Sequence, residues 1–400
     1  MSAIANEELV RKATIVADNL ATGGKLSNAQ SDRFIDFVVD ETVLKDNARV
    51  VRFRNESLEI DKIGVGRRVA VPKKEAVDPQ VRRGITTSKI TITPRELMVP
   101  FEIGDNFREL NIEGDSIEET IIRMMSTQLA NDLEDLYING NKLGPAVPQA
   151  EILEGGSDDE VKDTYLALTD GWGAMADQAN VVDAQGMNVG LSIFSRAIRA
   201  LPTKFRRNRN ALRWFMSPDL WQLYMEKLAT RATPLGDAAA TGGRDGLVGP
   251  FGIPAVPVPL WGFEPLQVEH VQLNGTTPVA LKNSNITDLV VHNDDLEKIP
   301  TPSYTETTDY VANAAAGTIA RAGGGAIADG DVVKVTYRSG PQMILTHQNN
   351  FVIGIGRDIR IEKDRDIYKG VNQYAITTKV DVGFEELGAM VKVRNIGKGI

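Results

Sequence analysis

The chain has 400 residues, of which 42% are hydrophobic and 25% charged, the balance of an ordinary globular protein with room for two or more domains. It contains no cysteine, which excludes disulfides, thiolate metal sites and a cysteine nucleophile and fits a reducing compartment. Its net charge of -9 argues against a DNA reader, because neutralising phosphates supplies most of such a protein's affinity.

The N-terminus, MSAIANEELVRKATIVADNL, carries acids early and has no apolar block ahead of a small-residue cleavage site, so it does not resemble a signal peptide. No apolar run approaches the ~20 residues of a spanning helix. Residues 27–46 open with Ser27 and Gln30 in capping-box spacing. Phe34, Ile35, Val38, Val39 and Val43 follow near one helical face, which predicts a short amphipathic helix in an N-terminal arm. Residues 51–103 change to strand character, with Ile90 and Ile92 alternating with polar residues and Pro72, Pro79, Pro94 and Pro100 as punctuation. Proline belongs at strand edges and ends, so a long projecting hairpin is expected rather than a central sheet.

The strongest element is DSIEETIIRMMSTQLANDLEDLYIN, residues 115–139. Asp115 and Glu118 suit the N-cap and N3 positions, and Gly140 is a stop signal. Ile117, Ile121, Met124, Met125, Leu129, Leu133 and Leu136 recur every three or four residues, a packing stripe on a helix about 35–40 Å long. Residues 189–230 predict two helices around a short buried strand at Trp214–Met216, with Ser217 capping the second helix and Pro218 at its first position. GPFGIPAVPVPLWG is an edge strand or extended connector. Residues 265–345 are β-rich, with Asp329-Gly330 as a hairpin turn signal before a strand that puts Val333, Val335 and Tyr337 on one face.

FVIGIGRDIRIEKDRD, residues 351–366, begins like a nucleotide fingerprint, but Ile359 stands where the third glycine belongs. Phe351, Ile353, Ile355, Ile359 and Ile361 keep the strand period through the glycines, so one long strand is expected, with Gly354 and Gly356 marking a kink or a close backbone approach. GAMVKVRNI ends the chain as another strand.

Chemistry is sparse. His270, His292 and His347 lack metal-ligand spacing and are expected at surfaces or edges, and no Gly-x-Ser-x-Gly elbow or Walker loop occurs. KFRRNRNALR, Lys204 to Arg213, is a basic cluster without interleaved stacking aromatics, expected as a subunit contact or solvated turn. No catalytic, cofactor or metal residue is assigned. One constellation is electrostatic: Val51–Arg95 holds eleven Lys/Arg against five Asp/Glu, a net of +6, whereas Glu109–Asp135 holds eight acids and one base, a net of -7. Either these are two unrelated solvated faces, or the basic hairpin of one copy lies over the acidic helix region of the next, a heterologous contact that builds rings and shells. The candidate donors are Arg67, Arg68, Lys73, Lys74, Arg82 and Arg83. The candidate acceptors are Glu113, Glu118, Glu119, Asp132, Glu134 and Asp135.

This order of elements resembles the major capsid proteins of tailed double-stranded DNA phages, the Hong-Kong-97-type fold. ELMVPFEIGDNF precedes the long helix, LANDLEDLYINGN ends it, and RWFMSPDLWQLYMEKL, GPFGIPAVPVP and NNFVIGIGRDIRIEKD are similar to axial-domain segments. The resemblance implies an α+β fold with an N-terminal arm (1–50), an extended loop (51–100) and a peripheral domain (101–210) carrying a spine helix (115–140). An axial domain (211–364) with a β-rich insertion (265–345) follows, then return strands of the peripheral domain (365–400). It further implies a structural, non-enzymatic protein of the virion capsid, assembled in the host cytoplasm without a cofactor. Its expected partners are itself, in hexamers and pentamers, a portal, a separate scaffolding protein and an optional decoration protein. Packaged double-stranded DNA is enclosed without sequence-specific binding, and no membrane is involved; an acidic chain suits a container that must not adhere to its contents. The short arm is expected to stay on the mature particle. An encapsulin-like nanocompartment shell and an enzyme with an unrecognised site remain the alternatives.

Overall fold

The structure is a computed structural model that describes residues 14–15, 43–53, 57–64, 86–110, 117–144, 163–230, 249–293 and 303–399. The expected arm helix at 27–46 lies outside them except for its last residues, where a single 3-10 turn, Lys45–Asn47, is found.

The first strands are β1 (Thr14–Ile15), β2 (Arg49–Arg52), β3 (Leu58–Gly64), β4 (Thr86–Ile92) and β5 (Arg95–Gly104). A short helix α1 (Asp105–Leu110) and the spine helix α2 (Ile117–Asn139) follow. After α3 (Trp172–Met175) come β6 (Asn180–Asp183), α4 (Leu191–Ala200), α5 (Thr203–Arg206), β7 (Leu212–Met216), α6 (Pro218–Ala229) and β8 (Ala255–Pro257). A β-only stretch comprises β9 (Leu266–Gln272), β10 (Val279–Ala280), β11 (Thr287–Asn293), β12 (Ser303–Tyr304), β13 (Tyr310–Asn313), β14 (Thr318–Arg321) and β15 (Val332–Arg338). The chain closes with β16 (Met343–His347), β17 (Phe351–Asp366), β18 (Val371–Phe384) and β19 (Met390–Arg394).

Two five-stranded sheets organise the molecule. The first has the order β1-β5-β18-β17-β2 and the second β6-β19-β16-β7-β8. The spine helix is 23 residues long, about 35 Å at 1.5 Å per residue. Ile117, Ile121, Leu129, Leu133 and Leu136 of its expected stripe are buried, sharing one core with Phe101, Ile103, Ile376 and Val382 of the first sheet. Met124 and Met125 are only half-buried. Trp172 and Phe351 stack in this core at 4.1 Å between ring centroids. The second sheet carries α4 and α6, whose Ile193, Phe194, Leu220 and Tyr224 enclose Trp214. Ser217 caps α6 as expected: its hydroxyl accepts from the Leu220 N–H at 3.3 Å, and Pro218 stands at the first turn, where no N–H is needed.

β17 runs as one 16-residue strand through both glycines, so the phosphate-loop pattern is a strand. Both readings of the glycines hold. The ladder to β18 slips between Ile355 and Arg360, which is the kink. A Cβ on Gly354 would lie 2.6 Å from Ile92 Cγ2 and 3.2 Å from Phe53 Cε1, and one on Gly356 would lie 3.1 Å from Pro94 Cγ. Gly383 of β18 faces Ile92 as well, so the fully buried Ile92 sits in a slot floored by glycine. Gly354→Val fills that slot and is expected to cost about 1–3 kcal/mol by overpacking. Urea unfolding reads the loss, and an unchanged midpoint contradicts the slot.

Three expectations change. Asp329-Gly330 turns the chain but makes no hairpin: β14 pairs with β13 and β10, whereas β15 pairs with β9 and β11. The buried Val333, Val335 and Tyr337 are satisfied by a larger sheet than the adjacent strand offers. The strands within 365–400, expected to return together to one domain, divide between the sheets, β18 belonging to the first and β19 to the second. Pro100 lies inside β5 rather than at its end, where it pairs with Ala375 of β18. Among the described residues β1 flanks β5 only at Glu102 and Ile103, so Pro100 lies where no described strand continues the sheet on that side, the edge setting in which proline is tolerated.

Candidate functional site: a projecting hairpin and the spine helix

β3 and β4 pair in antiparallel register from Leu58↔Ile92 to Gly64↔Thr86 and join no other described strand. The alternation of Ile with Thr, Ser and Lys gives the ladder its period, and Lys89 holds Glu59 at 2.6 Å across it. The hairpin is rooted where Ile92 enters the glycine slot and where the Thr93 N–H donates to Asp381 Oδ2 at 2.7 Å. The six candidate donors, Arg67, Arg68, Lys73, Lys74, Arg82 and Arg83, fall in 65–85 and lie outside the described residues, as does Glu113.

The other acceptors have different fates. Glu119 is exposed. Glu118 is engaged within the chain, accepting from Lys363 Nζ at 2.7 Å and Asn372 Nδ2 at 2.9 Å. Burial opposes its ionisation, but these donors hold its carboxyl below the usual range. The pairing fastens the start of the spine helix to the β17–β18 hairpin, beside a second tie from Arg365 to Asp105 of α1 at 3.0 Å.

Glu134 corrects the expectation outright. It is 2% exposed and accepts the backbone N–H groups of Val43 and Leu44 at 2.5–2.8 Å. A carboxylate on the buried side of the spine helix thus satisfies an otherwise orphaned loop backbone. Asp132 is half-buried, and burial raises its pKa against a hydrogen bond from Gln128 at 2.7 Å. Asp135 is pushed up to about 6 by burial, with Asp163 and Asp132 nearby, against a hydrogen bond from Asn139. These acids therefore do not form one outward face.

Because the folded pKa of Asp135 lies above its usual 3.8, protonation favours the fold: this contribution is full below pH 4 and lost as pH rises through 6. Asp135→Asn is therefore expected to stabilise the isolated chain at pH 8 by about 2–3 kcal/mol. Chemical denaturation at pH 8 and pH 4 tests this. The gain should vanish at pH 4, and a pH-independent difference contradicts it.

A second charged assembly was not visible in the sequence. Lys392, at 1% side-chain exposure, pairs with Asp177 at 2.5 Å and donates to the Gly173 carbonyl at 2.9 Å. Asp177 also holds Lys282 of the β-only stretch at 3.3 Å. Burial works against the Asp177 anion, but the two lysines outweigh it and keep its pKa low. Burial likewise pulls the Lys392 ammonium down. The only signal was a lysine inside MVKVR, a strand apolar on both sides; its partner lies 215 positions away.

The histidine expectation fails for His292, which is 2% exposed. It stands opposite Lys334 in the β11–β15 ladder, and burial beside that lysine lowers its pKa to about 4. β11 lies between β12 and β15 in one four-stranded sheet, so a position that reads as a strand edge becomes interior.

No family model matches the chain. Over 390 residues it is 28% identical to a protein of Bacillus subtilis (strain 168) that is a prophage capsid protein by name, YqbE, covering 97% of this chain and 98% of that one. Among solved structures, it matches the capsid of a native GTA particle with a TM-score of 0.50 and 14% identity, over 96% of this chain and 99% of that one. Gordonia phage Cozz gives a TM-score of 0.50 and 11% identity, over 95% and 98%. The capsid of cyanophage P-SCSP1u gives 0.50 and 9%, over 95% and 94%. The structural matches establish the fold, and the full-length sequence match favours a phage capsid over a cellular nanocompartment or an enzyme. The chain has the α+β Hong-Kong-97-type fold, and its full-length similarity to a phage capsid protein supports a structural, non-enzymatic role in a capsid of the tailed-phage kind.

Proposed function

We propose that copies of this chain assemble through hexamers and pentamers into a closed icosahedral shell around double-stranded DNA, with the β3–β4 hairpin of each copy lying on its neighbour. The carrying observation is that hairpin. A two-stranded ladder alone is marginal in water, and this one pairs with no other described strand of its own chain. A neighbouring subunit supplies the missing cover. Residues 51–95, which contain the hairpin, have the basic excess noted above, whereas the chain as a whole is acidic, so this segment repels its own kind and seeks an acidic surface on another copy.

In this reading residues 1–50 form the arm, 51–100 the extended loop, 101–210 the peripheral domain and 211–364 the axial domain with its insertion at 265–345. Residues 365–400 return as peripheral strands, with β19 contributed to the second sheet. Exposed Glu119 and half-buried Asp132 replace the full acid set as the spine-helix face offered to the neighbour. A portal, a separate scaffolding protein and an optional decoration protein complete the particle, which forms in the host cytoplasm. Sedimentation of the full chain beside a chain in which a short turn replaces residues 61–89, which leaves Ile92 in its slot, tests the role of the hairpin. The full chain should sediment as capsomers or shells and the shortened chain as folded monomers. Equal assembly of both contradicts it.

A further inference from the structure

The sequence between Lys204 and Arg213 was expected as a subunit contact or solvated turn, and the structure gives it a shape. Lys204, Arg206, Arg207 and Arg209 converge with Thr203 and Ile198 on one open concavity of about 630 Å³. It is built by α5, a four-residue helix at the end of α4, and by the 3-10 turn Arg209–Ala211 that leads into β7. Many other described cations, among them Arg49, Arg52, Lys142, Arg357 and Lys398, meet a carboxylate. Among the described residues no carboxylate lies within ion-pair distance of these four. Lys204 lies over the Phe205 ring at 4.4 Å, Arg206 donates only to Thr203 Oγ1 at 2.9 Å, and the buried Nε of Arg206 has no acceptor. Lys204, Arg207 and Arg209 are exposed.

From this geometry we infer that the concavity is an anion site for the phosphodiester backbone of duplex DNA, contacted without regard to sequence. The inference rests on the proposal that the shell encloses DNA. Three of the four groups are guanidiniums, whose planar forks suit phosphate oxygens. Duplex DNA carries one charge per roughly 1.7 Å of axis, so a patch of closely spaced cations meets several phosphates together. The one aromatic of the cluster, Phe205, packs against the core and lies under Lys204, so no open stacking platform is offered, which weighs against single-stranded ligands and not against a duplex backbone contact, which needs charge alone. The acidity of the rest of the chain confines the contact to this patch and keeps it weak.

The test uses the full-length chain, held unassembled, with a fluorescent random-sequence duplex. Four phosphate contacts predict a salt slope of about -3.6, so affinity should fall about 50-fold between 50 and 150 mM salt. Arg207→Gln with Arg209→Gln, both exposed and so neutral to folding, should weaken binding more than tenfold at 50 mM and halve the slope. Arg207→Lys with Arg209→Lys should restore most of the binding. Three results overturn the inference: no duplex binding at 50 mM, equal binding by the Gln variant, or equal binding of poly-glutamate, which would mark the site as a contact for the acidic surface of a second copy. Shell formation is scored separately by microscopy. Shells without DNA binding reject this site alone, and DNA binding without shells rejects the assembly proposal alone.

Discussion

Asp177→Asn should destabilise the isolated subunit by about 3–5 kcal/mol, the usual loss when one member of a buried ion pair is removed. The reason is what remains. Lys392 has 1% side-chain exposure, and without the Asp177 charge its ammonium keeps only neutral acceptors, the Gly173 carbonyl and the amide oxygen of the new side chain. Asparagine preserves the shape and one acceptor, so the loss isolates the charge. Lys392→Met should cost less, because the stem volume is kept and Asp177 retains Lys282. The double variant should be more stable than Asp177→Asn alone, since no buried charge is then unpaired. Guanidinium unfolding of the four proteins closes the cycle. A loss below about 1 kcal/mol for Asp177→Asn would show that the ammonium is solvated or neutral in the fold. The position matters for architecture: one carboxylate after α3 ties the last strand, β19, to Lys282 in the β-only insertion.

Arg67→Glu with Arg68→Glu should abolish or severely impair shell formation while leaving the subunit folded. Both positions fall in residues 65–85, the sequence that joins β3 to β4 and lies outside the described residues. Each exposed ion pair is worth at most about 1 kcal/mol, so no single bridge decides the outcome. The reversal acts through number: it changes this segment by four charge units per copy, and every subunit of a shell repeats the contact. Salt should mimic the defect in the wild-type chain, because exposed pairs are screened over about 10 Å at 0.1 M. Glu119→Lys in the same chain should recover part of the assembly, since Glu119 is the exposed acid on the first turn of the spine helix. Circular dichroism establishes folding and light scattering follows assembly. Normal assembly of the double reversal at low salt would show that shape, not charge, seats the loop.

What the sequence disclosed follows the range of its signals. The spine helix was legible because its period repeats over six turns, and the α6 cap because Ser217, Pro218 and the Leu220 N–H are neighbours. β17 was legible because alternation continued through Gly354 and Gly356, although only the structure supplies Ile92 as the reason for the glycine. The acceptor set was not legible. Helical spacing gives faces but not which face meets the core, and Glu134 turned inward to serve Val43 and Leu44, 90 residues away in sequence. His292 and Lys392 failed to declare themselves for the same reason. Both sit on strands whose burial is decided by partners distant in sequence, β15 for His292 and α3 for Lys392. The Asp329-Gly330 turn misled because a local signal fixes a reversal of the chain and not the strand that follows it.

The central claim, that this chain builds a shell from projecting hairpins, is tested most directly by electron cryomicroscopy of the purified full-length protein at low salt. Closed icosahedral particles, or capsomers, should appear, with density for residues 58–92 of each copy lying on the spine-helix side of a neighbour. Monodisperse monomers under all conditions, or particles in which that hairpin folds back on its own subunit, would contradict the account.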